Sequence, residues 1–143
     1  MQIRHITFQR GKSKKAYKFS EYYEQMFSEV KHPDTQARVQ MIVDLLKYLE
    51  NEVDAPPQWV NTSHFDISFH DHDCAVYGEE KQDNSKVTLH LGLTLSIPPR
   101  YSIEAMLPEN GSPWHFVTGT TDDVKQASEM IREVLCKQAR FWK

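Results

Sequence analysis

Residues 86–96, KVTLHLGLTLS, carry the clearest secondary-structure signal in the chain. Valine or leucine occupies every second position from Val87 to Leu95, and polar residues or glycine stand between them. Successive side chains of a β-strand point to opposite faces of the sheet, so this alternation predicts a strand with one buried and one wet face. A sheet with one wet face is typically antiparallel.

The chain alternates again directly after this strand. Pro98 and Pro99 predict a turn, and apolar residues then recur at every second position over residues 101–107. Residues 108–111, PENG, predict a second turn because Asn and Gly tolerate positive φ. Residues 114–118 are predicted to form the returning strand, which makes an antiparallel meander.

Three other segments place apolar residues at helical spacing. The first helix is predicted to begin at Ser20, whose hydroxyl can cap the first free amides. The second is predicted over residues 35–52, with Asp34 as its cap. The third follows Thr120 and Asp123, which have the spacing of a capping box. All three are amphipathic and could cover the apolar face of a sheet.

Two more strands complete the predicted fold. One covers residues 2–9, and the other covers residues 63–69, with Phe65, Ile67 and Phe69 facing inward. The element order is then β-α-α-β-β-β-β-α. We therefore predict one α+β domain over residues 1–143: a two-layer sandwich in which an antiparallel β-meander of about four to five strands packs on amphipathic helices.

Composition indicates an ordinary globular chain. The 143 residues are 39% hydrophobic and 26% charged, and no apolar run approaches the ~20 residues of a membrane span. The N-terminal residues contain no apolar signal core. Without a secretion signal, Cys74 and Cys136 are expected to be reduced thiols. These features predict a cytoplasmic protein that does not contact the membrane.

The charges are unevenly distributed along the sequence. Residues 1–18 contain six Lys or Arg side chains and no acid, whereas residues 44–83 contain ten acids against Lys47 and Lys81. Such segments can form basic and acidic patches that steer partners.

The densest group of potential metal ligands lies in residues 63–74, SHFDISFHDHDC. Imidazoles and carboxylates at alternate strand positions could converge on zinc or manganese and activate water for a hydrolase or nuclease. The residues of this hypothesis are His64, Asp66, His70, His72 and His90. The simpler interpretation is that these side chains are solvated and that residues 70–73 form the tip of a hairpin, since Asp favours turns.

Two charged segments are candidates for macromolecular binding. The basic residues Arg10, Lys12, Lys14, Lys15 and Lys18 could neutralise phosphates of RNA or DNA, or could form a solvated loop. The acidic residues Glu79, Glu80 and Asp83 belong to the segment that could meet a basic protein surface, as inhibitors of nucleases do.

No catalytic constellation or phosphate-binding glycine loop is assembled in the sequence. The leading hypothesis is therefore a small binding or regulatory protein of the inhibitor, immunity or anti-defence type, which uses no cofactor and contacts a partner protein through the open sheet face and the acidic segment. The alternatives are the metal-dependent hydrolase or nuclease and the nucleic-acid-binding module.

Overall fold

A computed structural model describes residues 1–5, 18–52, 55, 57–63, 65–70, 87–109 and 112–135 of the chain. These residues form six strands and three helices, and the α+β class predicted from the sequence is confirmed. In chain order the elements are β1 (Ile3–His5), α1 (Phe19–Met26), α2 (Pro33–Glu50), β2 (Gln58–Ser63), β3 (Asp66–His70), β4 (Val87–Leu93), β5 (Tyr101–Glu109), β6 (Ser112–Thr121) and α3 (Val124–Leu135).

The strands form one sheet in the order β1-β2-β3-β4-β5-β6. β1 pairs parallel to β2, and every other neighbouring pair is antiparallel. The predicted meander is therefore confirmed, and β1 joins its edge. The two long connections, β1 to β2 and β3 to β4, leave the strands in sequential order in space.

β2 is the strand that the sequence did not reveal. Its residues, QWVNTS, contain one aliphatic side chain, Val60, so they show no apolar alternation. Ser63 at its end pairs with Asp66 of β3, and residues 64 and 65 connect the two strands. The single strand predicted over residues 63–69 is thus wrong: a turn divides it. Phe65 lies in that turn, where its ring stacks on Phe27 with centroids 5.9 Å apart.

β4 ends earlier than its leucines suggested. Leu89 and Leu91 are completely buried, as predicted, but β4 ends at Leu93 and Leu95 is 95% exposed. The predicted burial of Leu95 is therefore wrong. Residues 94–100 form the β4–β5 loop, and the amide of Thr94 donates to the carbonyl of Arg100, which closes the loop in the register of the β4–β5 pairing.

The helices begin at different residues from those predicted. α1 begins at Phe19, so Ser20 lies inside its first turn and not at the cap. α2 begins at Pro33, which suits proline because the first helical N–H has no partner in the helix. Asp34 then occupies the first turn, where its charge favours the positive end of the helix.

α3 is capped by Asp123 instead of Thr120. The amide of Lys125 donates to Asp123 Oδ1 at 3.0 Å, and the amide of Ala127 donates to the carbonyl of Asp123 at 2.9 Å. The third helix is thus confirmed over Val124–Leu135, with its start after Thr121.

The core lies between one face of the sheet and the three helices. It is built from the apolar residues that alternate along the strands and recur at helical spacing on α1, α2 and α3. Its largest fully buried side chains are Tyr23, Phe19, Phe69, Ile42, Leu45, Leu46, Leu49, Ile67, Leu89, Leu91, Ile103 and Ile131. No helix among the described residues is long and apolar enough to cross a lipid bilayer.

The opposite face of the sheet is called the outer face here. The register of β3, β4 and β5 places Ser68, His90 and Glu104 in one row across it. Asp66 and Gly92 lie on the same face, nearer to the end where β4 enters the β4–β5 loop. This end of the sheet positions the candidate site.

Candidate functional site

The β4–β5 loop is held in shape by its own polar atoms. The amide of Thr94 donates to the carbonyl of Arg100 at 2.8 Å, and the amide of Arg100 donates to Thr94 Oγ1 at 2.9 Å. Ser96 Oγ lies 2.6 Å from Thr94 Oγ1 and donates to the carbonyl of Pro98 at 3.1 Å. These bonds close the loop on itself, and two consecutive prolines restrict its backbone further.

Two arginines attach the loop to the body of the protein. Arg38 of α2 donates from Nη1 to the carbonyl of Thr94 at 3.1 Å. Arg100 donates from Nη2 to the carbonyl of Thr120 at 3.5 Å, and its Nη1 lies 3.8 Å from Asp122 Oδ2. The loop is therefore fixed to the second helix on one side and to the end of β6 on the other.

Tyr101 fixes the point where the loop enters β5. Its side chain is buried, and its hydroxyl donates to the carbonyl of Met41 in α2 at 2.8 Å. Burial, with smaller contributions from the carboxylates of Asp44 and Asp123, raises the pKa of Tyr101 to about 12. The tyrosine consequently remains neutral and hydrogen-bonded at physiological pH.

The loop presents two aliphatic side chains to solvent. Leu95 is 95% exposed and Ile97 is 94% exposed. The only other large hydrophobic side chain that is exposed in the described part of the chain is Met26, at 44%. Fully burying a leucine or isoleucine is favourable by about 1.5–3 kcal/mol, so the removal of these two side chains from water would be strongly favourable.

A pocket of about 500 Å³ lies beside the loop. It sits where β3 begins, β4 ends and β5 begins, and Phe65 of the β2–β3 turn and Leu93 contribute its apolar wall. Its polar side chains are Arg38, Ser63, Asp66, His90, Ser102 and Glu104. Leu95 also lines this pocket, so the exposed loop and the pocket form one continuous surface.

The histidine in the pocket contacts two residues of β3. His90 Nδ1 lies 3.1 Å from Ser68 Oγ and 3.9 Å from Asp66 Oδ1. The side chains of His90 and Asp66 are 38% and 61% exposed, so their attraction is screened by water. His90 and Asp66 of the metal hypothesis thus lie side by side on neighbouring strands, in an arrangement typical of a solvated polar face.

Of the three remaining residues of the metal hypothesis, one lies in the described part of the chain, and it is not brought to this place. His70 pairs in register with Val87, three positions before His90 on β4, and it is 2% exposed. Its predicted exposure to solvent is therefore wrong, although its parity along β3 is that of the outer face. His64 and His72 lie outside the described residues. Within the described ranges, no three His, Cys, Asp or Glu residues are placed to hold a metal ion.

Most of the predicted charged binding residues also lie outside the described part. This applies to Arg10, Lys12, Lys14 and Lys15, and to Glu79, Glu80 and Asp83. Lys18 is described: it is exposed, and its carbonyl accepts the amides of Glu21 and Tyr22 at the start of α1. The nucleic-acid and acidic-segment hypotheses therefore stay predictions.

The residues of the candidate site that sequence reasoning missed are Leu95 and Ile97. The signal was present in the sequence, since Pro98 and Pro99 require an end to the strand and leave the last leucine of the alternation without a partner strand. The hydrogen bonds of Thr94 that close the loop could not be read from the pattern of apolar residues.

No protein-family model, curated protein or solved structure matches this chain.

Proposed function

We propose that this protein acts by binding another protein, and that the β4–β5 loop with its adjoining pocket is the contact surface. The observation that carries the proposal is the almost complete exposure of Leu95 and Ile97 on a loop whose backbone is fixed by hydrogen bonds. Apolar side chains exposed together mark interaction sites more often than isolated ones do. The protein would be a regulatory or inhibitory module rather than a catalyst.

The fixed loop favours tight association. A loop that is already ordered loses little conformational entropy when a partner binds, and more of the burial energy then contributes to affinity. Leu95 and Ile97 together could contribute about 3–6 kcal/mol of burial before the losses of association are subtracted. This is enough for the two side chains to act as the central anchors of an interface.

The surroundings of the loop indicate the chemistry of the partner. Arg38 and Arg100 are engaged with backbone carbonyls and Asp122, whereas Asp66 and Glu104 expose their carboxylates at the pocket. A partner surface with an apolar cavity bordered by lysine or arginine would match this arrangement. The carboxylates of Asp66 and Glu104 would then form an acidic rim that influences the rate of association and the choice of partner.

The test compares three versions of the full chain as bait in the native host. The wild type and Met26→Ser, which removes an exposed apolar side chain on α1, are expected to retain one stoichiometric protein partner. The double variant Leu95→Ser and Ile97→Ser is expected to bind that purified partner about thirtyfold more weakly, which corresponds to about 2 kcal/mol. The loop variant should melt at the same temperature as the wild type, because Leu95 and Ile97 are almost completely exposed.

Two results would overturn the proposal. One is equal affinity of the wild type and the loop variant for the partner. The other is a wild-type protein that retains no stoichiometric partner. A Glu104→Lys variant adds a check on the acidic rim, since reversal of this charge is expected to slow association with a basic partner.

A further inference from the structure

The two edges of the sheet differ in length within the described residues. There β1 at one edge has three residues, whereas β6 at the other edge has ten. Within the described residues β6 pairs only with β5, so half of its backbone N–H and C=O groups point away from the sheet. An open strand edge of this kind is a template for pairing with another strand.

Most of β6 lacks the usual protection of an exposed edge. Sheet edges are commonly protected by lysines or other charged residues, by proline, by very short strands or by bulges. None of the ten residues of β6 is Asp, Glu, Lys or Arg, in a chain that is 26% charged. Pro113 and the register irregularity between Leu107 and Glu109 both lie near the hairpin, and pairing is regular from His115 to Thr121. The regular part thus offers an edge without proline, bulge or formally charged side chain.

We propose that β6 pairs antiparallel with β6 of a second copy of this chain, which joins the two sheets into one of twelve strands around a twofold axis. The composition of the strand favours a second copy over a charged partner segment. When a strand pairs with its own copy, each side chain near the axis meets the same residue or a close neighbour, and a charged side chain would meet a like charge. β6 contains none of these charges.

Threonines occupy the accessible part of this edge strand. Thr118 and Thr120 are exposed, and they pair in register with Glu104 and Ser102 of β5 on the outer face. A twofold axis at Thr118, the middle of the regular run, places Thr118 opposite Thr118 and Thr120 opposite residue 116. A threonine pair across neighbouring strands is favourable, so the outer face of the joined sheet would be compatible with this register at the axis.

This surface is separate from the β4–β5 loop and does not depend on the proposed function. The test measures the molar mass of the full chain by sedimentation equilibrium and by light scattering over a range of concentrations. The wild type is expected to be a dimer that dissociates on dilution. A double variant, Thr118→Lys and Thr120→Lys, is expected to raise the dissociation constant about tenfold or more, because lysines at a sheet edge oppose strand pairing.

The matched control is Glu104→Lys, which places a lysine on the same face and in register with Thr118, but one strand away from the edge. It should dimerise like the wild type. Circular dichroism and melting temperature confirm that each variant is folded. Hydrogen exchange adds an independent measurement: alternate amides of β6 should exchange more slowly at high than at low protein concentration.

Three outcomes would overturn the inference. The first is a wild-type chain that stays monomeric at about 100 µM, a concentration far above the dissociation constants of stable dimers. The second is a dimer that the edge lysines do not weaken. The third is hydrogen exchange of the β6 amides that does not depend on protein concentration. A monomer in which the β6 amides are already protected would show that another part of the same chain occupies the edge, and this too would overturn it.

Discussion

Replacing Glu50 by alanine is expected to lower the free energy of unfolding by about 2–4 kcal/mol. Glu50 lies at the end of α2, and its carboxylate accepts two hydrogen bonds from Ser20 in the first turn of α1. The amide of Ser20 donates to Oε1 at 2.8 Å, and its hydroxyl donates to Oε2 at 2.9 Å. A glutamate distant in sequence therefore replaces the missing side-chain cap of α1, whose N-cap residue Lys18 makes no cap bond.

The magnitude follows from the burial of the two donors. Ser20 is 1% exposed, so removal of the carboxylate leaves two donors that water cannot easily reach. A hydrogen bond to a charged group contributes about 1.5–3 kcal/mol, and a carboxylate at a helix N-terminus contributes about 0.3–1 kcal/mol through the helix dipole. Glu50 itself is only half-buried, and hydration of the resulting space reduces the sum to the stated range.

The assay is urea unfolding at pH 7, with the midpoint and the slope fitted separately. Glu24→Ala is the control, because Glu24 also joins α1 to α2, through an ion pair with Lys47 at 3.6 Å in which both side chains are more than half exposed. Such a pair contributes about 0–1 kcal/mol, so Glu24→Ala should hardly move the midpoint. The double variant with Ser20→Ala should lose less than the sum of the single variants, because both remove the same contact. Equal midpoints for Glu50→Ala and Glu24→Ala would refute the reasoning.

Two further variants test local features of the fold. Tyr101→Phe should reduce the loss of stability at high pH. The pKa of Tyr101 is raised to about 12 from 10.0, so between these pH values the folded protein keeps a proton that the unfolded chain releases. The contribution of Tyr101 is therefore complete below pH 10 and decreases by about 2–3 kcal/mol towards pH 12, whereas buried Tyr23, whose pKa is also raised, adds to the loss in both proteins. Urea midpoints between pH 9 and 12 measure this, and parallel curves for both proteins would contradict it. Gly92→Ala should increase the free energy of unfolding by about 0.5 kcal/mol and raise the melting temperature slightly, since glycine weakens a strand. The new Cβ would lie 3.7 Å from the carbonyl oxygen of Phe65, which is an ordinary contact distance. A loss above about 1 kcal/mol would show that β4 cannot accept this side chain.

The two proposed contact surfaces lie at different places on the sheet. The loop proposed to bind a partner protein lies at the end of the sheet, whereas the strand proposed to pair with a second copy lies at its edge. Arg100 connects the two surfaces, since its guanidinium reaches from the loop to the carbonyl of Thr120 in β6. A dimer built through β6 would therefore carry two loops, one on each side of the twofold axis, and could bind two copies of a partner.

Local patterns in the sequence determined most of the elements. The alternation in β4 and β5 and the apolar stripe of α2 predicted elements that bury Leu89, Ile103 and Leu46 in one core. These predictions depend only on the period with which side chains return to the same face, which is 2 residues in a strand and 3.6 residues in a helix. The spacing of apolar residues in the sequence shows this period directly. The antiparallel meander packed on helices followed from the same information.

Tertiary contacts decided the features that no local pattern carries. β2 has one aliphatic residue and is a strand because β1 and β3 pair with its backbone on both sides. Ser20 has the chemistry of a helix cap, but Glu50 binds it inside the first turn. His70 has the parity of a wet position and is nevertheless buried.

The same distinction applies to the candidate site. The alternation of leucines through Leu95 predicted burial, but β4 ends at Leu93, and the hydrogen bonds between Thr94 and Arg100 close a loop that contains Leu95. Backbone hydrogen bonding determines where a strand ends and which strand lies at an edge, and the period of the apolar side chains does not reveal it. The sequence by itself therefore determined the layers and their inward faces, and only the tertiary structure decided that Leu95 and Ile97 are exposed and that β6 is an edge strand among the described residues.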